Sequence, residues 1–126
     1  MTSAVAKVAL AGTLLAASGS SLQARLTAAG HSPKIGAHWP YSVRATAGGK
    51  PAAAKLTVQI VDPLGGHHPV GFGAKKGNVT NVAFKGTFSD FVVWPQSSSG
   101  VPLTFEVTVV SGKSKRVLDY TVTPGG

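Results

Sequence analysis

Cysteine is absent from this 126-residue chain. No disulfide framework can brace the fold, so packing alone must do it. Thiolate nucleophiles, cysteine zinc sites and a lipid-modified cysteine anchor are excluded with it. Acids are nearly as scarce. Asp62, Asp90, Glu106 and Asp119 stand against twelve Lys and Arg, for a net charge of +8. Four carboxylates leave little material for paired acid–base chemistry. No nucleophile elbow is present, and Gly71-Phe72-Gly73 opens no helix that could cradle a phosphate. A single methionine leaves no soft ligand set for copper. No apolar run approaches the ~20 residues needed to cross a bilayer.

One shorter apolar run does occur, from Val8 to Ala17. Its length suits the core of an export signal, with Lys7 as the positive flank and small residues following. Cleavage is expected between Ala17 and Ala24, with Ala24 favoured because a strand pattern begins at Arg25-Leu26-Thr27. The alternative for this run is a membrane-anchoring or buried helix. Residues 1–24 are therefore expected to be a signal peptide and 25–126 one domain, secreted or held at the cell surface. No membrane span is expected after the signal is removed. Loss of Lys7 leaves eleven basic residues against four acids, a net +7.

Beyond the leader, apolar and polar residues alternate as in half-buried strands. Tyr41, Val43 and Ala45 form one such face; Leu56, Val58 and Ile60 another. Phe105, Val107 and Val109 form a third, and Leu118, Tyr120 and Val122 a fourth. Arg25 to Ala29 gives a weaker first strand, and Pro69 to Phe72 a short edge strand where proline is tolerated. The run Val82 to Val93 changes phase near Ser89-Asp90, which implies a bulge or corner. Glycine, proline and asparagine clusters fill every gap. Seven short antiparallel strands with turns every 8–12 residues or so match an immunoglobulin-like sandwich, an all-β fold. Glu106 and Asp119 both point outward from the last two strands. A register offsetting them is expected, with Asp119 facing Thr108, because like charges directly opposite repel.

Pro33-Lys34-Ile35-Gly36, Tyr41-Ser42-Val43-Arg44, Gly49-Lys50-Pro51 and Leu56-Thr57-Val58 resemble segments of exported bacterial immunoglobulin-like or fibronectin-III-like domains. In those, a P-x-x-G loop leads into one strand and a G-K-P turn into the next. The resemblance implies a sandwich fold and export. It carries over no functional residue, since the antibody-type cysteine pair and the tyrosine corner are both missing.

With strands in sandwich order, loops alternate between two ends. One end would gather His31, His38, His67 and His68 with Trp39 and Trp94. The histidines are candidate ligands for Zn²⁺ or Cu²⁺, although adjacent His67 and His68 in an extended segment point opposite ways. The tryptophans would plug the core or stack on a sugar or peptide. The opposite end would gather Lys50, Lys75, Lys76, Lys113, Lys115 and Arg116 as an anion-binding surface or a solvating face. No aromatics interleave there, so specific nucleic-acid binding is not expected. The expectation is a monomeric, non-catalytic binding or structural module with no cofactor. An anionic cell-wall polymer or a surface protein would be its partner. A histidine-based metal-binding protein is the alternative.

Overall fold

Two antiparallel sheets face one another in the computed structural model, which describes residues 21–126. Most of the expected leader, residues 1–20, lies outside the described residues. The first sheet is built on β2 (His38–Ala47), which pairs with β1 (Leu22–Ala28) along one edge. Along its other edge run the two-residue β3 (Lys50–Pro51) and β7 (Thr87–Val93). The second sheet has β4 (Ala53–Val61) and β8 (Leu103–Ser111) at its centre, with β9 (Ser114–Val122) flanking β8. The far edge of β4 is shared by β5 (His67–Pro69) and β6 (Val82–Lys85).

The strands exist because every second residue has the same place to go. On β2, Trp39, Tyr41, Val43 and Ala45 are buried while His38, Pro40 and Arg44 are exposed. Ala54, Leu56 and Val58 do the same on β4, as do Phe105, Val107 and Val109 on β8, all three of these fully buried. Each large apolar side chain sealed between the sheets contributes roughly 1.5–3 kcal/mol. Trp39, Trp94, Tyr41 and Phe105 fill one end of the core as edge-on aromatics, with centroid separations of 4.8–5.5 Å for the closest pairs. β1 starts at Leu22, which is 2% exposed and opposite Ala47, so the first strand reaches back across the favoured Ala24 boundary.

The described residues hold nine strands rather than seven. One of the two extra strands is the short β3; the other comes from the run Val82 to Val93, which divides at Gly86 rather than at Ser89-Asp90. β6 belongs to one sheet and β7 to the other, and Gly86 carries the chain across. Its N–H donates to the carbonyl of Ala52 and its own carbonyl accepts from Ala45. Its φ is +76°, and a Cβ there would sit 3.1 Å from the Pro51 ring. The phase does not change at Asp90. Phe88, Asp90 and Val92 share one face, and the Asp90 carboxylate accepts the backbone N–H of Gly73 at 3.1 Å.

The register of β8 and β9 also differs from expectation. Asp119 lies directly opposite Glu106, and Thr108 faces Val117. The two-residue turn Gly112-Lys113 sets this pairing, with Gly112 at φ +58° in the first central position. Moving Asp119 onto Thr108 would put Lys113-Ser114 at the turn and leave no glycine for the positive φ.

Candidate functional site

The four histidines share one end of the sandwich but point in separate directions. His31 stacks on Tyr120 at 4.1 Å, and its Nδ1 lies 2.6 Å from the Thr121 carbonyl. His38 stacks on Phe91 at 3.9 Å, on the outside of the four-stranded sheet. On β5, His67 bonds Gln59 at 3.0 Å and approaches Glu106 at 3.8 Å, while His68 contacts Asp62 at 2.6 Å. Among the described residues no group of three metal-capable side chains forms. The expected Zn²⁺ or Cu²⁺ set is thus four separate side chains, each with its own aromatic or polar partner.

Trp39 and Trp94 are 3% and 2% exposed. Neither offers a face to a sugar or a peptide; they cap the core instead. The Trp39 Nε1–H donates to the Gly30 carbonyl at 2.8 Å and ties the β1–β2 loop down. Trp94 packs edge-on against Trp39, and its Nε1 has no hydrogen-bond partner among the described residues.

Beside Trp94 a cleft of about 600 Å³ opens between the sheets, with Ile60, Val70, Phe72, Phe91, Val101 and Leu103 among its lining residues. Its rim carries the Asp62–His68 pair. The bond from His68 and the backbone N–H groups of Gly66 and Leu64 hold the Asp62 carboxyl below its ordinary range. These bonds make Asp62 the organiser of its own loop (Asp62–Gly66). In the same cleft the Ser98 hydroxyl is committed to the Pro95 carbonyl at 2.6 Å. Within the aromatic cluster, burial, reinforced by Asp90, pushes the Tyr41 phenol well above its usual range.

The basic residues divide differently from expectation. Lys75 and Lys76 sit on a small hairpin closed by a bridge between Gly71 and Asn78 and by the bond from Phe72 N–H to the Gly77 carbonyl. That hairpin reaches toward β7 and is held at Asp90, partway along the strand, with the Lys75 ammonium 4.4 Å above the Phe72 ring. The two lysines flank the side of the sandwich. Lys50 and Lys113 do share an end, at the tips of the β2–β3 and β8–β9 turns, with Lys115 and Arg116 beside them. Lys55 and Lys85 join them: Lys55 pairs with Val110 across from Lys115, and Lys85 faces Ala53. All six side chains are exposed. None of the four acids lies at that end. Asp62 is in the loop after β4, Asp90 is midway along β7, and Glu106 and Asp119 lie toward the far end of their strands. Sequence spacing could have flagged Lys85, which immediately precedes the glycine that changes sheets. Lys55 was visible only as one polar position in an alternating run.

No protein-family model matches the chain, no curated protein matches it, and no solved structure matches it.

Proposed function

We propose that this chain is an exported, immunoglobulin-like, non-catalytic binding module of a bacterial surface, engaging an anionic cell-wall polymer through its basic end. The fold part of this reading is supported by strand order. β1, β2 and β7 on one sheet, and β4, β8 and β9 on the other, follow the two-sheet order of such sandwiches. Export is supported by the apolar run Val8 to Ala17 with its small-residue tail.

The observation that carries the binding part is the acid-free end holding Lys50, Lys55, Lys85, Lys113, Lys115 and Arg116. Among the described residues, the ion pairs within 4.0 Å both involve histidine, so no lysine or arginine there is neutralised by a neighbouring carboxylate. Exposed ammonium groups on turn tips make point-charge contacts with phosphate and release counterions on binding. Such binding tolerates variation along the polymer and weakens with salt.

Titration of the protein with linear polyphosphate between 50 and 300 mM NaCl tests this. Saturable binding is expected, with log K falling against log salt at a slope of about −3.5 to −4.2, for five or six contacts on a flexible chain. Lys50→Glu, Lys85→Glu and Lys113→Glu together should weaken it at least tenfold. Equal binding of neutral dextran, or indifference to these changes, would refute the proposal.

A further inference from the structure

The outer face of the five-stranded sheet is ordered in rows, and the rows alternate in character. Toward the basic end, Lys115, Val110 and Lys55 lie side by side across β9, β8 and β4. Two residues further along come Val117, Thr108 and Thr57. Two further again come Asp119, Glu106 and Gln59. Their outward direction follows from their neighbours, since Phe105, Val107 and Val109 point inward and are fully buried. The face therefore has a positive row and a negative row about 13 Å apart, four residues along each strand. Between and beside them lie Val117 at 49% exposure and Val110 at 40%, two of the four large apolar side chains most exposed in the described domain.

Each charged row is unfavourable by itself. Asp119 and Glu106 are directly opposite one another, and the two lysines flank one valine with no acid near them. Like charges in opposed positions cost roughly 0.2–1 kcal/mol. The His67 ring lies 3.8 Å from Glu106, and among the described residues Asp119 has no ion-pair partner.

We infer that this face binds a second copy of the chain, face to face, with its strands running antiparallel to those of the first. A two-fold axis lying in the interface, across the strands through the Val117–Thr108–Thr57 row, brings the rows together correctly. It sets Lys115 against the partner copy's Asp119 and places the partner copy's Glu106 over Val110, between Lys115 and Lys55. Val117 meets its own copy on the axis. The reciprocal contacts then form by symmetry, as a two-fold interface requires. The parallel alternative, with the axis along the strands, would oppose lysine to lysine and carboxylate to carboxylate. Charge pattern thus selects one of the two face-to-face arrangements, within the ~30° at which twisted sheets stack. The turn tips end up at opposite ends of the pair, each keeping Lys50, Lys85, Lys113 and Arg116 for a polymer, while Lys55 and Lys115 are taken into the interface. The expected monomer is replaced by a dimer in this proposal, which needs no polymer ligand to form and competes with one only for Lys55 and Lys115.

Sedimentation equilibrium of the full chain tests it, using two variants. One, Lys55→Glu with Lys115→Glu, makes both charged rows acidic. The other, Glu106→Lys with Asp119→Lys, makes both basic. Wild-type protein is expected to dimerise in the micromolar to submillimolar range, and each variant alone to bind itself at least tenfold more weakly. An equimolar mixture of the two variants should regain association to within about threefold of wild type. That recovery also shows that both variants are folded. A wild type that stays monomeric to 500 µM would overturn the inference, leaving the face to some other partner. Dimers that ignore charge reversal, or a mixture that fails to recover while both variants keep native tryptophan fluorescence, would overturn it equally.

Discussion

Removing residues 21–24 should destabilise the domain by roughly 2–4 kcal/mol. Leu22 is 2% exposed and packed within the core cluster, opposite Ala47 at the end of β2. Deleting a buried leucine side chain costs about 2–5 kcal/mol, and the lower part of that range suits a site at the edge of a sheet, where the remaining structure can close in. Ala24 adds a partly buried methyl, worth at most about 0.8 kcal/mol. The backbone bonds lost with the pairs Leu22–Ala47 and Ala24–Ala45 are each worth about 0.5–1.5 kcal/mol, but freeing those residues returns about 1–2 kcal/mol apiece. The two backbone effects nearly cancel, so the side chain decides. Urea unfolding of proteins beginning at Ser21 and at Arg25, followed by the fluorescence of buried Trp39 and Trp94, measures the difference. Agreement within 0.5 kcal/mol would refute the burial argument. The same reasoning bears on export: a leader ending at Ala24 would take Leu22 with it, and one ending between Ala17 and Ser21 would leave β1 whole. The mass of the mature protein is expected to show the latter.

Phe105→Ala should cost about 3–5 kcal/mol, since the ring is fully buried and touches Trp39, Tyr41 and Trp94 edge-on; thermal unfolding should show a fall of about 15 °C or more. Tyr41→Phe should be neutral or stabilising by up to about 1 kcal/mol, because its buried hydroxyl has no partner among the described residues; a loss above about 1 kcal/mol in urea would refute this. Asp62 has a lowered carboxyl pKa, so its contribution is complete above the ordinary value of 3.8 and fades as acid passes through the lower folded value. Asp62→Asn should be less stable than wild type at pH 7, with the two unfolding curves converging in acid; parallel curves down to pH 2 would refute the assignment.

How much of this was legible in the sequence depends on which force decided each element. β2, β4 and β8 were legible because alternation measures burial, and burial is the largest contribution. The division of the run Val82 to Val93 was misread because Asp90 occupies an inward position at a sheet edge, where Gly73 N–H satisfies it. A polar residue in that phase looks like a break in the pattern. The tryptophans were placed at one end correctly, but only packing distances show that their faces are covered. The lysine hairpin was misplaced because loop order says which turn follows which strand, and nothing about a turn that folds sideways across the gap between sheets.

The register of β8 and β9 is the sharpest of these cases, since two legible signals conflicted. Repulsion between Asp119 and Glu106 argued for an offset, worth about 0.2–1 kcal/mol. Against it stood Gly112 at φ +58°, in a position where a residue with a side chain would cost about 1–2 kcal/mol. The turn wins on magnitude. Gly112→Val should therefore loosen the pairing more than Asp119→Thr tightens it. Urea midpoints would measure both, and a larger gain from Asp119→Thr than the loss from Gly112→Val would show that charge, and not the turn, governs this hairpin.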